Sequence, residues 1–303
     1  MTSEFATLGN ITIDDLVFPD GSTIWCTPGG NSIYSALGIA IWGETPDVIA
    51  PIGPEYPTDA LEGRVDLSHC RLIDRTLRNW GLYEEDGTRT FTFRSKSRDW
   101  RAFSPTADDV KGSRYLHVHL APLPWDLQIA FAEYFREAGA KVISVDPDDR
   151  YLDQLEDADF DRLLAAVDLF LPSLQDAIAL VPGASPATAL ATLRERAPEV
   201  PVIAVKCGSD GVLMHAAGSS DLIHVDSAAV EVIDTTGAGD AFSGGALLGY
   251  ARTGDPLEAI LHGTVSASYA VATNGPGALV HADEKETGRR LDRLRPTVET
   301  IPF

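Results

Sequence analysis

Val232-Ile-Asp-Thr-Thr-Gly-Ala-Gly-Asp240-Ala-Phe-Ser-Gly-Gly-Ala-Leu247 is the stretch on which the reading of this 303-residue chain turns. A short apolar segment, expected to be a strand, runs into Gly237-Ala238-Gly239, and an amphipathic helix is expected at once behind it, over Ala241–Ala251. Glycines let the backbone approach a ligand closely, and the free N–H groups of a first helical turn face whatever sits above them, which makes an anion site. Asp240 falls in that first turn. A carboxylate there repels bound phosphate, unless its task is to take a proton from a hydroxyl attacking phosphorus. The N–H groups would then stabilise charge developing on the transferred oxygens. A helix N-terminal Asp satisfying local N–H groups is the competing reading, and spacing alone leaves both open.

Other chemistries fail on the same residues. The segment lacks the third glycine of GxGxxG, the chain has no GxxxxGKS/T, and Ser243 is not in GxSxG. His117-Val-His119 would put two imidazoles on one face of a strand. No third ligand is identifiable nearby, so structural or pocket-lining histidines are expected rather than metal ligands.

Outward from the motif, short β-branched runs alternate with helical periodicity, the signature of a parallel sheet covered by helices. Strands are expected at Phe5–Leu8, Val48–Ile52, Arg71–Leu77, Tyr115–Leu120, Val142–Val145, Leu169–Leu171 and Val202–Val205. Helices are expected at Ser32–Trp42, Trp125–Ala138, Leu174–Leu180, Ala187–Ala197, Ala241–Ala251 and Leu257–Thr273. Gly43, Gly139, Gly254 and Gly275 follow helices where a left-handed cap is wanted, and Pro256 opens one. No linker divides the chain, so residues 1–303 read as one α/β domain. Two segments break the alternation: Leu16–Cys26 around Pro19-Asp20-Gly21, and Gly81–Arg94 around Asp86-Gly87. Both read as hairpins with Asp-Gly turns. Such a side sheet needs cover, and is expected to close over a ligand or pack on a second subunit. The acidic run Asp146–Asp161 reads as a solvated helix face.

Composition narrows the partners. With 24 Lys+Arg against 45 Asp+Glu, the net charge of −21 argues against nucleic acid and anionic membrane. No apolar stretch approaches the ~20 residues needed to span a bilayer. The N-terminus lacks a signal-peptide pattern, and Cys26, Cys70 and Cys207 form no disulfide framework or zinc pattern, which suits a cytoplasmic protein. Cys207 reads as a small residue in a packed strand.

These residues resemble the ribokinase-like (PfkB) carbohydrate kinases. Asp234-Thr-Thr-Gly-Ala-Gly-Asp240 with Ala-Phe-Ser-Gly-Gly looks like that family's C-terminal signature, and the resemblance covers nearly the whole chain. Gly9-Asn10-Ile-Thr-Ile-Asp14 looks like the first-strand motif, Pro28-Gly29-Gly30-Asn31 like the Gly-Gly substrate motif, Lys206-Cys-Gly208-Ser-Asp-Gly211 like the strand-turn at ATP, and Asn274-Gly275-Pro-Gly277 like the loop near adenine. The resemblance implies a three-layer α-β-α sandwich with a mostly parallel central sheet. A small β lid, at about 12–26 and 80–96, would close over a sugar. It implies Asp240 as general base, Gly237, Ala238 and Gly239 as anion hole, and Asn10, Asp14, Gly30 and Asn31 at the substrate. Ser173, Lys206, Gly208, Gly211, Gly239, Asn274 and Gly277 would serve the nucleotide, and Asp234 and Thr236 a monovalent cation such as K⁺. ATP and Mg²⁺ are the implied cofactors, a sugar or nucleoside the partner, with a homodimer through the lid.

Three departures stand out. Ser173-Leu-Gln-Asp176 replaces the usual Asn-x-x-Glu, leaving Asp176 to reach Mg²⁺ through water. Tyr34 stands where many members have Asn. Gly53-Pro-Glu-Tyr56 replaces Gly-x-Asp. The expected function is ATP-dependent phosphorylation of a hydroxyl on a small sugar or related alcohol. A nucleoside kinase, with Tyr34, Trp25 or Phe91 stacking on the base, and a non-catalytic sugar or nucleotide sensor are the alternatives.

Overall fold

The computed structural model describes residues 3–85, 88–94, 97–148, 150, 155–229 and 231–302. Its strands are β1 (Phe5–Leu8), β2 (Thr12–Val17), β3 (Thr23–Gly29), β4 (Asp47–Ile49), β5 (Pro51–Ile52), β6 (Arg71–Leu72), β7 (Leu77–Tyr83), β8 (Arg89–Phe93), β9 (His117–Leu120), β10 (Val142–Val145), β11 (Leu169–Phe170), β12 (Val202–Lys206), β13 (Val212–Ala216), β14 (Asp221–Val225) and β15 (Glu299–Pro302). Its helices are α1 (Asn31–Ala40), α2 (Ser97–Ala102), α3 (Ala107–Val110), α4 (Trp125–Glu137), α5 (Asp157–Ala166), α6 (Leu174–Leu180), α7 (Pro186–Arg196), α8 (Ala238–Thr253), α9 (Pro256–Ala270), α10 (Gly277–Val280) and α11 (Glu284–Leu294).

The main sheet runs β4-β1-β9-β10-β11-β12-β13-β14-β15. Pairing is parallel from β4 through β12 and antiparallel beyond. Every residue of β1, β9 and β10 is buried, as expected of parallel strands with helices on both faces. Two apolar cores lie on the two faces. One joins Ile33, Leu37, Phe242, Leu247, Ile260 and Val265 from α1, α8 and α9. The other joins Ile129, Phe135, Phe160, Leu163 and Leu190 from α4, α5 and α7. The alternation's parallel sheet covered by helices is present, in the three-layer sandwich that the resemblance implied.

A second sheet, β3-β2-β7-β8, stands to one side. Both expected hairpins are present, but the first spans more chain than its turn suggested, because β2 starts at Thr12 and carries Asp14 into the lid. Its turn closes through Gly21 N–H donating to Phe18 O at 2.9 Å. The second is closed by Glu84 N–H donating to Thr88 O at 2.8 Å; its Asp86-Gly87 pair lies outside the described residues.

Several expectations need correction. The single strand read at Arg71–Leu77 divides: Arg71–Leu72 pairs with β5 in a small separate sheet, and Leu77 opens the lid strand β7. Val48–Ile52 likewise breaks at Ala50. The edge strands β13 to β15 escaped the periodicity, since polar His215 and His224 interrupt the first two and β15 is short and exposed. The apolar segment before Gly237 forms no strand. The Ile233 and Asp234 amides donate to Val271 O beyond the end of α9, at 2.8 and 3.3 Å, leaving Val232 and Ile233 about half exposed.

Candidate active site

Helix α8 begins at Ala238, so Asp240 lies in its first turn, as expected. Gly237 caps it with φ of 74°, and a Cβ there would meet the Tyr34 ring at 2.2 Å. The following Gly244-Gly245 pair does another job. A Cβ on Gly244 would lie 1.9 Å from Ser35 O of α1, and one on Gly245 2.3 Å from Ser266 Oγ of α9. The motif's glycines therefore sink α8 between its neighbours at close range and fix where its N-terminus points.

Three adjoining cavities meet at this terminus. The first, about 310 Å³, is lined by Asn10, Asp14, Asn31, Tyr34, Asn79 and Trp100, with Thr236, Gly237 and Asp240 on its floor. The second, about 280 Å³, has Asp146, Asp148, Ser173, Asp176 and Lys206 on its walls, again with Gly239 and Asp240. The third, about 310 Å³, is more apolar and is bounded by Gly208, Gly211, Val212, Phe242, Ala267 and Val271, sharing Lys206 and Gly239 with the second. Asp240 thus joins the first two, and Gly239 with Lys206 joins the last two.

The first cavity is lined by several buried acceptors. Asp14 is 6% exposed, and burial pushes its carboxyl up to about 6, against hydrogen bonds from Asn79 and Thr12. Asn79 Nδ2 donates to Asp14 Oδ1 at 3.0 Å, and Asn10 Nδ2 donates to Phe103 O at 2.6 Å. The carbonyl oxygens of Asn10 and Asn79 are buried without a protein partner. Buried acceptors are normally paired, so these call for hydroxyl donors from a ligand. Asn31 Oδ1 accepts from Asn10 N–H at 2.7 Å and its Nδ2 donates to Pro122 O at 2.8 Å. Gly30 caps α1 at φ of 109°, where a Cβ would come within 2.3 Å of Asn10 O. Phe91, Phe93 and Trp100 complete the rim, whereas Trp25 stands 58% exposed, away from this cavity.

Asp240 is half-buried between the first two cavities. Burial is the main cause that pushes its carboxyl up to about 7; Asp146 and Asp148 add to this, while Lys206 and Arg150 oppose it. Lys206 Nζ donates to Asp146 Oδ2 at 2.5 Å, and Ser243 Oγ lies 3.2 Å from the same oxygen and 3.0 Å from Gly239 O. The Asp146–Asp161 run is thus no simple solvated face: Asp146 and Asp148 are buried at the site, and helix α5 starts only at Asp157. Residue 149 and residues 151–154 of that run lie outside the described residues. Arg150, hidden in an acidic context, lines the first two cavities, ion-pairs with Asp148 and stacks over Trp100 at 4.6 Å.

Ser173 and Asp176 form a capping box at α6. Asp176 N–H donates to Ser173 Oγ at 3.1 Å and Ser173 N–H donates to Asp176 Oδ2 at 2.9 Å, an arrangement worth about 1 kcal/mol. Both still face the second cavity. Asn274 and Gly277 stand outside the walls of the third cavity; Gly277 opens α10, and a Cβ at Gly275 would strike Thr27 of β3. Asp234 and Thr236, read as cation ligands, bind each other and the lid. Thr236 N–H and Oγ1–H donate to Asp234 Oδ1 at 2.9 and 2.7 Å, and Tyr83 and Arg89 reach the same carboxylate.

His119 is fully buried, with Nδ1 2.9 Å from Ser144 Oγ, and burial drives it down to about 3, so it stays neutral. Among the described residues no group of three or more His, Cys, Asp or Glu could hold a metal ion, and no helix is long and apolar enough to cross a membrane. Cys207 sits just past β12, half-buried.

Asn79, Arg150, Asp146 and Asp148 escaped sequence reasoning. Asn79 lies two residues before a hairpin expected only from Gly81, and the others were masked by the surrounding acids.

The chain is similar to several known kinases. A fructokinase of Salmonella typhimurium is 30% identical over 300 residues, covering 92% of this chain and 96% of that protein. A cytidine kinase of Thermococcus kodakarensis is 25% identical over 261 residues, 84% of this chain and 91% of that one. A protein from E. coli, solved in complex with ATP and Mg²⁺, superposes with a TM-score of 0.77 at 21% identity, covering 97% of this chain and all of that one. The model of the pfkB family carbohydrate kinases matches residues 8–283, and the chain belongs to that family.

Proposed function

We propose that the chain transfers the γ-phosphoryl group of ATP to a hydroxyl of a small sugar or sugar-like alcohol, with Asp240 as general base. The carrying observation is the order of shared walls: acceptor cavity, Asp240, carboxylate-lined cavity, Gly239 with Lys206, apolar cavity. An acceptor hydroxyl beside Asp240 would give up its proton there and attack phosphorus held over the second cavity. The N–H groups of 237–239 would meet charge developing on the equatorial oxygens. Asp14 and the Asn10 and Asn79 carbonyls would hold the remaining hydroxyls. The third cavity, between Gly211, Val212, Phe242 and Val271, suits an adenine and ribose.

Asp148 and Asp176 face the second cavity but are engaged by Arg150 and Ser173, so a Mg²⁺ brought with the nucleotide phosphates would reach them through its water shell. Bound there, Mg²⁺ would neutralise phosphate charge.

The experiment is an ADP-release screen across ribose, fructose, 2-keto-3-deoxygluconate, adenosine, inosine and cytidine, with Asp240→Asn as control. Turnover on a sugar, lost in Asp240→Asn while nucleotide still binds, is expected. Near-wild-type turnover of the variant refutes the assignment. A nucleoside acceptor is the second reading, favoured by the aromatic rim of Tyr34, Phe91, Phe93 and Trp100. Ligand binding by calorimetry with no ADP release across the panel would point to a sensor; the intact Asp240 speaks against it. A homodimer through the lid draws support from the exposed Ile24, Trp25 and Trp80.

A further inference from the structure

Tyr83 and Arg89 face each other across the end of the β7–β8 hairpin, and both reach the loop in front of α8. Asp234 Oδ1 accepts from Thr236 N–H, Thr236 Oγ1–H and Arg89 Nη1, the last at 3.1 Å, while Oδ2 accepts from Tyr83 O–H at 2.5 Å. Arg89 also bonds Thr235 Oγ1. The Asp234 side chain is 2% exposed and that of Arg89 29%.

A monovalent cation at Asp234 needs oxygen lone pairs turned toward it and a carboxylate short of positive charge. Neither condition holds. Oδ1 is met by three donors, among them the Thr236 hydroxyl proton, Oδ2 is met by the Tyr83 hydroxyl, and a guanidinium already supplies the charge. A second cation against one carboxylate would repel the first. The residues as arranged do not fit K⁺.

We propose that Arg89 takes the place of a monovalent cation at Asp234. It then acts as a positioning residue that ties the anion-hole loop to the lid. Asp234 sets the loop by binding the Thr236 amide one residue before Gly237. A free ion would neutralise that carboxylate whatever the lid did. A guanidinium carried on the hairpin does so only when the hairpin is down over the acceptor cavity. The loop preceding Asp240 and the cover that excludes water are therefore fixed by one contact, so that phosphoryl transfer and closure are coupled. Tyr83, on the neighbouring strand, adds a neutral hydrogen bond to the same latch.

The test uses matched ionic strength in KCl, NaCl or choline chloride, with turnover and melting temperature both read. Wild-type turnover on an accepted acceptor should agree within about twofold in the three salts. Arg89→Ala should lose about ten- to a hundredfold in kcat, the range expected for a lost charge-assisted hydrogen bond, with KM for ATP less affected. KCl, and not choline, should restore part of that loss and raise the variant's melting temperature. Arg89→Lys, keeping the charge, should stand between Arg89→Ala and wild type. Wild-type turnover that requires K⁺ overturns the proposal, as does an Arg89→Ala variant with unchanged kcat or one whose loss no cation mends. Should no acceptor in the panel be turned over, the reading of the acceptor site fails, and melting still decides this point. K⁺-specific stabilisation of the wild type refutes the proposal, and K⁺-specific stabilisation confined to Arg89→Ala supports it.

Discussion

Asp240→Asn should abolish turnover and yet make the protein more stable, and the two effects have one cause. The carboxyl is recessed beside Asp146 and Asp148 and sits at about 7 instead of 3.8. A shift of that size corresponds to roughly 4 kcal/mol of disfavour for the charged form. The sign follows from proton counting. Between pH 4 and 7 the folded state holds a proton that the unfolded chain has released, so this group's contribution to stability falls as pH rises through that window. It levels off above the folded value and vanishes below about pH 4. At pH 8 the buried charge costs up to roughly 4 kcal/mol, and at pH 5 roughly 2. Asparagine, nearly isosteric and never charged, removes the cost at both. Its advantage over wild type should therefore be about 2 kcal/mol larger at pH 8 than at pH 5, or roughly 4 °C in melting temperature for a chain of this size. Differential scanning calorimetry of both proteins at pH 5, 6, 7 and 8 reads this directly. Loss of a general base lowers kcat by about 10²–10⁴-fold. A variant that is inactive but shows the same melting difference at every pH would refute the electrostatic part. One that keeps its activity would refute the role.

Other expectations follow from the same site. The acid limb of kcat/KM for a neutral acceptor should fall about tenfold per pH unit below the Asp240 value. Asp146→Asn should move that limb to lower pH, because it removes a like charge and releases Lys206 from its partner; an unmoved limb refutes the coupling. Asn79→Ala should cut kcat/KM for the acceptor by roughly ten- to a hundredfold, since a buried hydroxyl then lacks its acceptor and Asp14 its donor; an unchanged value places the substrate elsewhere. Gly237→Ala forces a side chain into a left-handed φ and onto Tyr34, so its kcat should fall more than a hundredfold, the scale of a lost oxyanion donor; turnover within tenfold of wild type refutes the loop geometry.

The alternation of apolar strands and helices was legible because parallel strands are buried on both sides and carry continuous apolar runs. The antiparallel edge lacks that signal. One face of β14 meets solvent, and His215 on β13 is buried with both ring nitrogens partnered, Nδ1 accepting from Arg194 Nε at 2.9 Å and Nε2 lying 3.1 Å from Ser219 O. The motif at 234–240 marked the candidate anion site, while the apolar residues before it form no strand. Val232 and Ile233 are apolar, but their exposure is a tertiary fact. Asp14 was legible by resemblance, whereas its partner Asn79 was not, since the two meet only because β2 and β7 pair in parallel across 65 residues of chain. Ser173 and Asp176 were weighed as ligands when their spacing of three residues was that of a capping box.

The net charge of −21 poses a sharper problem at the site than at the surface. Asp146, Asp148, Asp176 and Asp240 surround the second cavity, against Lys206 and Arg150. Each cation is already engaged by a carboxylate, Lys206 with Asp146 and Arg150 with Asp148. Neither is a bare counter-charge waiting for phosphate, so nucleotide affinity must come from short-range sources: the 237–239 amides, the α8 N-terminus, apolar contact in the third cavity, and metal brought with the phosphates. Burial, helped by Asp146 and Asp148, pushes the Asp240 carboxyl up to about 7, where the proposed base can both take and release a proton. An anion site built from lysines would bind ATP more tightly and would leave Asp240 a weaker base. The acidic surroundings thus help tune the proposed base, and binding must come from the amides, from apolar contact and from metal that arrives with the phosphates.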